Sequence, residues 1–329
     1  MDAATQRALA GIPAATPESP AGAAVRAYLA EQSRAFLTQS AAAARLRAAC
    51  RRTSSALSAC RALVDPAWAD DLGDEVDRTA DALAGERDTD AVRDRLLSPL
   101  DRWISEGRYP DGGAARTRTL LTRMLDRDRS AAHSSATAAL VGPQFHALAD
   151  KMATLAREVP LTPIADRSCA EVLPAVVTAA YENLLRRAAA LPDPLSVEDQ
   201  SADDQWFAVY QAAETALYAA ELCRPAEVSV PGRDAADLVH GLTRVTEALR
   251  DQQDAVLAAA CVHRAADTPR IAATTGYVLG RLHEEQRLAV LRSRCAAPLG
   301  ELTAPVPAQS SAASFPSRSG ESSRSTWSG

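Results

Sequence analysis

Apolar residues recur along most of this chain at helical intervals. From Ala21 onward, Val25, Tyr28, Leu29, Phe36 and Leu37 stay near one face, which predicts a first helix. A second is predicted over about 41–63. At "DPAW", Asp65 suits an N-cap and Pro66 the first helical position. The following stretch to Ile104 places Leu72, Val76, Leu83, Val92, Leu96 and Leu97 inward and its charges outward, as one or two amphipathic helices. "SEGRYPDGGAA" breaks the pattern as a loop. Further helices are predicted over about 116–140, 143–159, 172–191, 205–223, 234–265 and 271–295, with breaks at "VPLTPIADRS" and at the Pro/Asp-rich "LPDPLSVEDQSADD".

These periods describe an all-α chain. Residues 1–20 read as a flexible N-terminus, 21–192 as a first helical bundle and 193–298 as a second. Residues 299–329 form a Ser/Pro-rich tail with too little apolar surface to order itself. An internal echo supports two related units. "ALAGERDTDAV" resembles "ALRDQQDAVLA", with Leu83 and Asp88 matching Leu249 and Asp254; "RAACRRTSSAL" and "YQAAETALYAA" precede the two copies at a similar distance.

Composition reinforces the helical reading. Alanine is the commonest residue and aromatics make up only 4%. The formal net charge of −6 argues against a general nucleic-acid binder. Six scattered cysteines without a C-x-x-C pair read as buried thiols of a reducing compartment. With no targeting signal or long uncharged apolar run, the expectation is a cytoplasmic protein without a membrane span.

Five ordered segments resemble the CHAD domain, the conserved histidine α-helical domain. In "RLRAACRRTSS", Arg47, Arg51 and Arg52 fall on arginines of the family's opening helix. "LAGERDTDAVRDRL" is similar to the following family segment at Gly85, Arg87, Asp88 and Val92. "YAAEL", "LRDQQDAVLA" and "GYVLGRLHEE" match in order in the second half. The resemblance spans roughly residues 21–297. It implies two pseudo-symmetric four-helix bundles forming one domain, with basic residues lining the cavity between them. It also implies a non-enzymatic module that binds inorganic polyphosphate or another polyanion.

The chain departs from that pattern in several places. The histidine position of the first helix is Ala44, and the last arginine position is Ser54. In the second half, Phe207, Tyr210, Glu214 and Thr215 stand at the basic positions. From Ala188 to Cys223 there is no Lys, Arg or His but there are seven carboxylates, which would repel polyphosphate. The alternative reading is therefore a CHAD-like scaffold or protein-interaction module, with Trp206, Phe207, Tyr210 and Leu217 filling the former ligand space.

Candidate polyanion contacts are Arg47, Arg51, Arg52, Arg87, Arg123, Arg127 and Arg186. Guanidinium suits this role because it donates bidentately to phosphate. Helical geometry puts Arg47 and Arg51 on one face with Ala44, Ser54 and Ser58; Arg45 and Arg52 point nearly opposite, as surface charges. Arg47 and Arg51 could face a polyanion, pair with a carboxylate such as Glu214, or face solvent. Arg87 and Asp88 read first as a structural salt bridge. Arg116, Arg123 and Arg127 line one face beside Asp126 and Asp128, which a solvated surface explains. No catalytic residue, cofactor or metal site is expected. "HEEQR" has Arg287 where a metalloprotease helix needs its second histidine, and Asp237 with His240 is too small a ligand set. The two glycines of "GYVLG" are expected at a close helix contact.

Overall fold

A computed structural model describes residues 15–38, 43–109, 111–195, 200–224 and 235–300. The described helices are α1 (Ala21–Thr38), α2 (Ala43–Ala59), α3 (Pro66–Ala82), α4 (Ala84–Ser105), α5 (Gly113–Val141), α6 (Pro143–Leu155), α7 (Cys169–Ala189), α8 (Gln200–Cys223), α9 (Ala235–Ala266) and α10 (Ala273–Ala296). A 3-10 turn at Pro163–Asp166 precedes α7. Among the described residues extended pairing is confined to two isolated bridges, Pro20 with Ser168 and Val64 with Leu161. The predicted tail beyond Gly300 and residues 1–14 lie outside the described residues.

The predicted helix starts and stops have visible causes. The Asp65 carboxylate accepts the Trp68 N–H at 2.8 Å, and Pro66 opens α3 without an N–H to leave unsatisfied. The long stretch after it resolves into two helices that meet at Leu83, whose N–H still reaches the Thr79 and Asp81 oxygens of α3. Gly85 then lets α4 approach α5 closely: a Cβ there would sit 3.0 Å from that of Ala132. The glycines of "GYVLG" do not do the same. A Cβ at Gly280 would meet nothing within 4 Å, and one at Gly276 only the Ile271 side chain at 3.7 Å. This region is amphipathic, and those glycines lie off its packed face.

The larger buried clusters are two. One is built from α1, α2, α3, α6, α7, α8 and the first half of α9, through residues such as Phe36, Leu46, Val76, Leu173, Trp206 and Leu249. The other joins α4, α5, the second half of α9 and α10, through Leu96, Leu100, Leu121, Cys261 and Leu282. Both take helices from either side of Pro192, and α9 serves both. At about 1.5 Å per residue, that helix is long enough to run through the two cores in turn.

Where α9 passes from one core to the other, its sequence turns polar, "RDQQD". The Asp251 carboxylate accepts from Arg95 of α4 at 2.6 Å and from Ser293 of α10 at 2.5 Å. Arg95 also donates to Gln286 at 3.1 Å. Nearby, Asp203 of α8 is buried and held by Arg287 at 3.0 Å and by Arg294, whose guanidinium lies 5.3 Å from the centre of the Trp206 ring. Burial lowers the Arg294 pKa, and the ion pair with Asp203 opposes that shift. A polar layer thus crosses the molecule between two apolar cores.

Candidate functional site

The ridge expected to carry a ligand lies on α2, and part of it faces a cleft. Arg51, Ser54 and Ser58 line a cavity of ≈ 460 Å³ closed by α3 and by Gln211 and Thr215 of α8. This brings the two echo-related helices, α2 and α8, to opposite walls of one space. The spacing Asp70, Asp74, Asp77 puts three carboxylates of α3 along the same cavity. Its charged lining is therefore two guanidinium groups, Arg51 and Arg61, against three aspartates.

Each of those guanidinium groups is occupied. Arg51 donates from Nη2 to Glu214 Oε2 at 2.9 Å, and its Nη1 lies 3.6 Å from Asp77 Oδ1. Ser54 donates to the other Asp77 oxygen at 2.7 Å. Arg61 grips Asp70 with two bonds, at 3.0 and 2.5 Å. Glu214 is only 3% exposed. It accepts from the Tyr210 hydroxyl at 2.7 Å, and Arg250 of α9 stands 3.7 Å away. Burial alone would lower the Arg51 pKa, but the charge and hydrogen bond of Glu214 outweigh it and the pKa is raised. Burial also raises the Tyr210 pKa, and the Glu214 charge adds to it.

The other predicted residues do not converge on this cleft. Arg52, on the far side of α2, is paired and stacked: its Nε lies 3.4 Å from Glu221 Oε2 and its guanidinium 5.1 Å from the Tyr218 ring centre. Tyr28 donates to the same Glu221 oxygen at 3.2 Å. Arg47 is half-buried outside the cleft lining, with its Nε without a hydrogen-bond partner among the described residues. Arg87 makes a bidentate pair with Asp254 at 2.5 and 2.8 Å and reaches Asp88 at 3.2 Å. One guanidinium thus bridges the two echo-related aspartates. Arg123 and Arg127 on α5 and Arg186 on α7 are exposed, on separate helices from the ridge.

Of the apolar and aromatic residues expected to fill the space, Trp206, Tyr210 and Leu217 are buried in the first core, whereas Phe207 turns outward at 37% exposure. Sequence reasoning missed Asp77 and Arg250. The period of three aspartates on α3 was the available signal for the first; the second required knowing that α9 crosses behind α8. Among the described residues no three potential metal-ligating side chains converge. No helix among them is long and apolar enough to cross a membrane.

Comparison with known proteins places this architecture. No curated protein sequence matches. Among solved structures, PptA from Streptomyces chartreusis superposes with a TM-score of 0.73 at 34% identity, over 86% of this chain and 99% of that one. The CHAD domain from the plant Ricinus communis superposes with a TM-score of 0.63 at 22% identity, over 90% of this chain and 97% of that one. The sequence profile of the CHAD domain matches residues 21–263, so with two helical cores and a cleft between echo-related helices, this chain belongs to the CHAD domain family.

Proposed function

We propose that this chain is a non-enzymatic CHAD module whose central cleft is closed by internal ion pairs, and that it acts as a helical scaffold for a protein partner. The observation that carries this reading is Glu214. Its carboxylate stands against Arg51 where a phosphate oxygen would have to bind, and it is fixed from behind by Tyr210. A polyanion entering the cleft would have to displace a buried carboxylate and then lie against Asp70, Asp74 and Asp77. All six cysteines are free thiols, five of them buried, which supports a reducing, cytoplasmic setting.

A second reading keeps the family's association with polyphosphate and places the ligand on arginines outside the cleft. It is favoured by the exposed Arg123, Arg127 and Arg186.

Titration of the full chain with long-chain polyphosphate at low and high salt separates the two. The closed-cleft reading expects no saturable binding at about 0.15 M salt, where screening leaves only close contacts. Salt-sensitive binding that an Arg47→Glu/Arg51→Glu variant abolishes would overturn it. Binding that survives that change and is lost in Arg123→Glu/Arg127→Glu would establish the second reading.

A further inference from the structure

A second cavity, of ≈ 690 Å³, lies between α1, the start of α3 and the segment that follows α6, and shares no lining residue with the cleft. Its walls carry Arg26, Trp68, Arg157, Glu158, Val159 and Pro160. That volume falls within the range of small-molecule sites, about 300–1,000 Å³.

Two features set it apart from the central cleft. First, Arg26 and Arg157 are exposed, and neither has a carboxylate within ion-pair distance among the described residues, although most of the half-buried arginines here are matched to an acid. They come from different elements and open on one space. Second, that space has a flat apolar wall: the half-buried indole of Trp68 packs its inner side on the first core and lines the cavity.

The walls are also held in place. The Asp65 N–H donates to Pro160 O at 2.8 Å and the Thr162 N–H to Leu63 O at 3.0 Å. The Thr162 hydroxyl donates to Ala62 O at 2.7 Å. With the Asp65 cap on Trp68, these bonds fix the helix start that carries the indole against the segment that carries Arg157. The hollow is therefore preformed.

We propose that this cavity is a binding site for a ribonucleotide. The base would stack on Trp68, the phosphates would engage Arg26 and Arg157, and Glu158 would accept from ribose hydroxyls. Each assignment follows from matched chemistry. An indole face offers stacking to any planar base, unpaired guanidinium groups bind phosphate bidentately, and a carboxylate beside a sugar accepts its hydroxyl protons. Inorganic polyphosphate fits less well, since it has no planar group for the indole and would meet Glu158. The site shares no lining residue with the central cleft and does not depend on how that cleft is read.

The test is calorimetric titration of the full chain with ATP, AMP and inorganic triphosphate, repeated on Arg26→Ala/Arg157→Ala and on Trp68→Leu. Saturable nucleotide binding is expected, with inorganic triphosphate weaker by at least about tenfold. The arginine variant should lose at least about tenfold in affinity. Both its side chains are exposed, so it keeps the fold, which circular dichroism verifies. Absence of binding by either nucleotide at millimolar concentration would overturn the proposal. So would equal affinity for triphosphate, or binding unchanged in the arginine variant. If Trp68→Leu destabilises the chain, the arginine variant and the triphosphate comparison still decide.

Discussion

Two arginine-bearing cavities of this molecule, the central cleft and the hollow beside Trp68, present opposite chemistry. In the central cleft, Arg51 and Arg61 are each held by carboxylates, and a third aspartate remains. In the hollow beside Trp68, Arg26 and Arg157 are unmatched among the described residues, where Glu158 is the one acid of the lining. The difference arises from what faces each arginine. Helix α2 looks onto the aspartate row of α3 and onto Glu214 of α8, whereas the segment after α6 puts only Glu158 into the hollow beside α1 among the described residues. A count of arginines therefore says little about anion binding. The carboxylates within reach decide whether a guanidinium is a receptor or a strut.

The strongest way to break this contrast is to remove Glu214. Its side chain is 5% exposed and that of Arg51 20%. Glu214→Ala leaves a half-buried guanidinium and the Tyr210 hydroxyl without their shared acceptor. Breaking such a pair from one side costs on the order of 3 kcal/mol. Urea denaturation of the variant should show a loss of that size. The exposed pair change Arg26→Ala/Arg157→Ala should stay within about 0.5 kcal/mol of the parent. Equal effects would mean that the cleft arginines are no more structural than those of the hollow. Because Glu214→Ala also frees Arg51, the variant should gain salt-sensitive affinity for polyphosphate that the parent lacks.

Much of this was legible in the sequence. Asp65 and Pro66 marked a helix start through local chemistry alone, and the 100° step separated Arg51 from Arg52. The family resemblance pointed to Glu214 as a partner because it stands where a basic residue was expected. What the sequence hid was long-range. The echo aligned Asp88 with Asp254, but nothing local shows that Arg87 reaches across to Asp254, because that contact depends on α4 packing against α9. The division at Pro192 was read from a linker, while the cores follow packing and share α9. The glycines of "GYVLG" looked like a contact because of their spacing, yet spacing does not say which face meets a neighbour. Nothing in the sequence marks the Trp68 hollow, because Arg26 and Arg157 lie far apart along the chain and share no motif.

A smaller effect tests whether pairing outside the cleft follows the same rule. Arg87 and Asp254 are 31% and 13% exposed at the side chain, and their contact is bidentate. A double-mutant cycle of Arg87→Ala and Asp254→Ala should give a coupling of about 1–2 kcal/mol. The same cycle with Asp88 should give less, since that contact is a single bond at 3.2 Å. Equal couplings would show that Arg87 is shared evenly between the echo-related aspartates, and that the bidentate geometry contributes nothing extra.

The smallest expected effect lies in the acid limb of the stability curve. Hydrogen bonding from Arg61 holds the Asp70 carboxyl below its ordinary range, more than its slight desolvation raises it. A carboxyl whose folded pKa is depressed binds its proton less readily in the folded state than in the unfolded one. Its contribution is then present above the unfolded value of about 3.9 and is lost as pH falls through the folded value. Both side chains are more than half exposed, so solvent screens the pair and the contribution is modest. Arg61→Ala should therefore lose a little stability at neutral pH, meet the parent curve at the lowest pH, and so flatten the fall below about pH 4. The Arg26→Ala/Arg157→Ala variant should keep the parent slope, because those guanidinium groups hold no carboxylate among the described residues. If the two variants follow the same acid limb, Asp70 is not restrained by Arg61, and the cleft would carry a free cation for an anion to take.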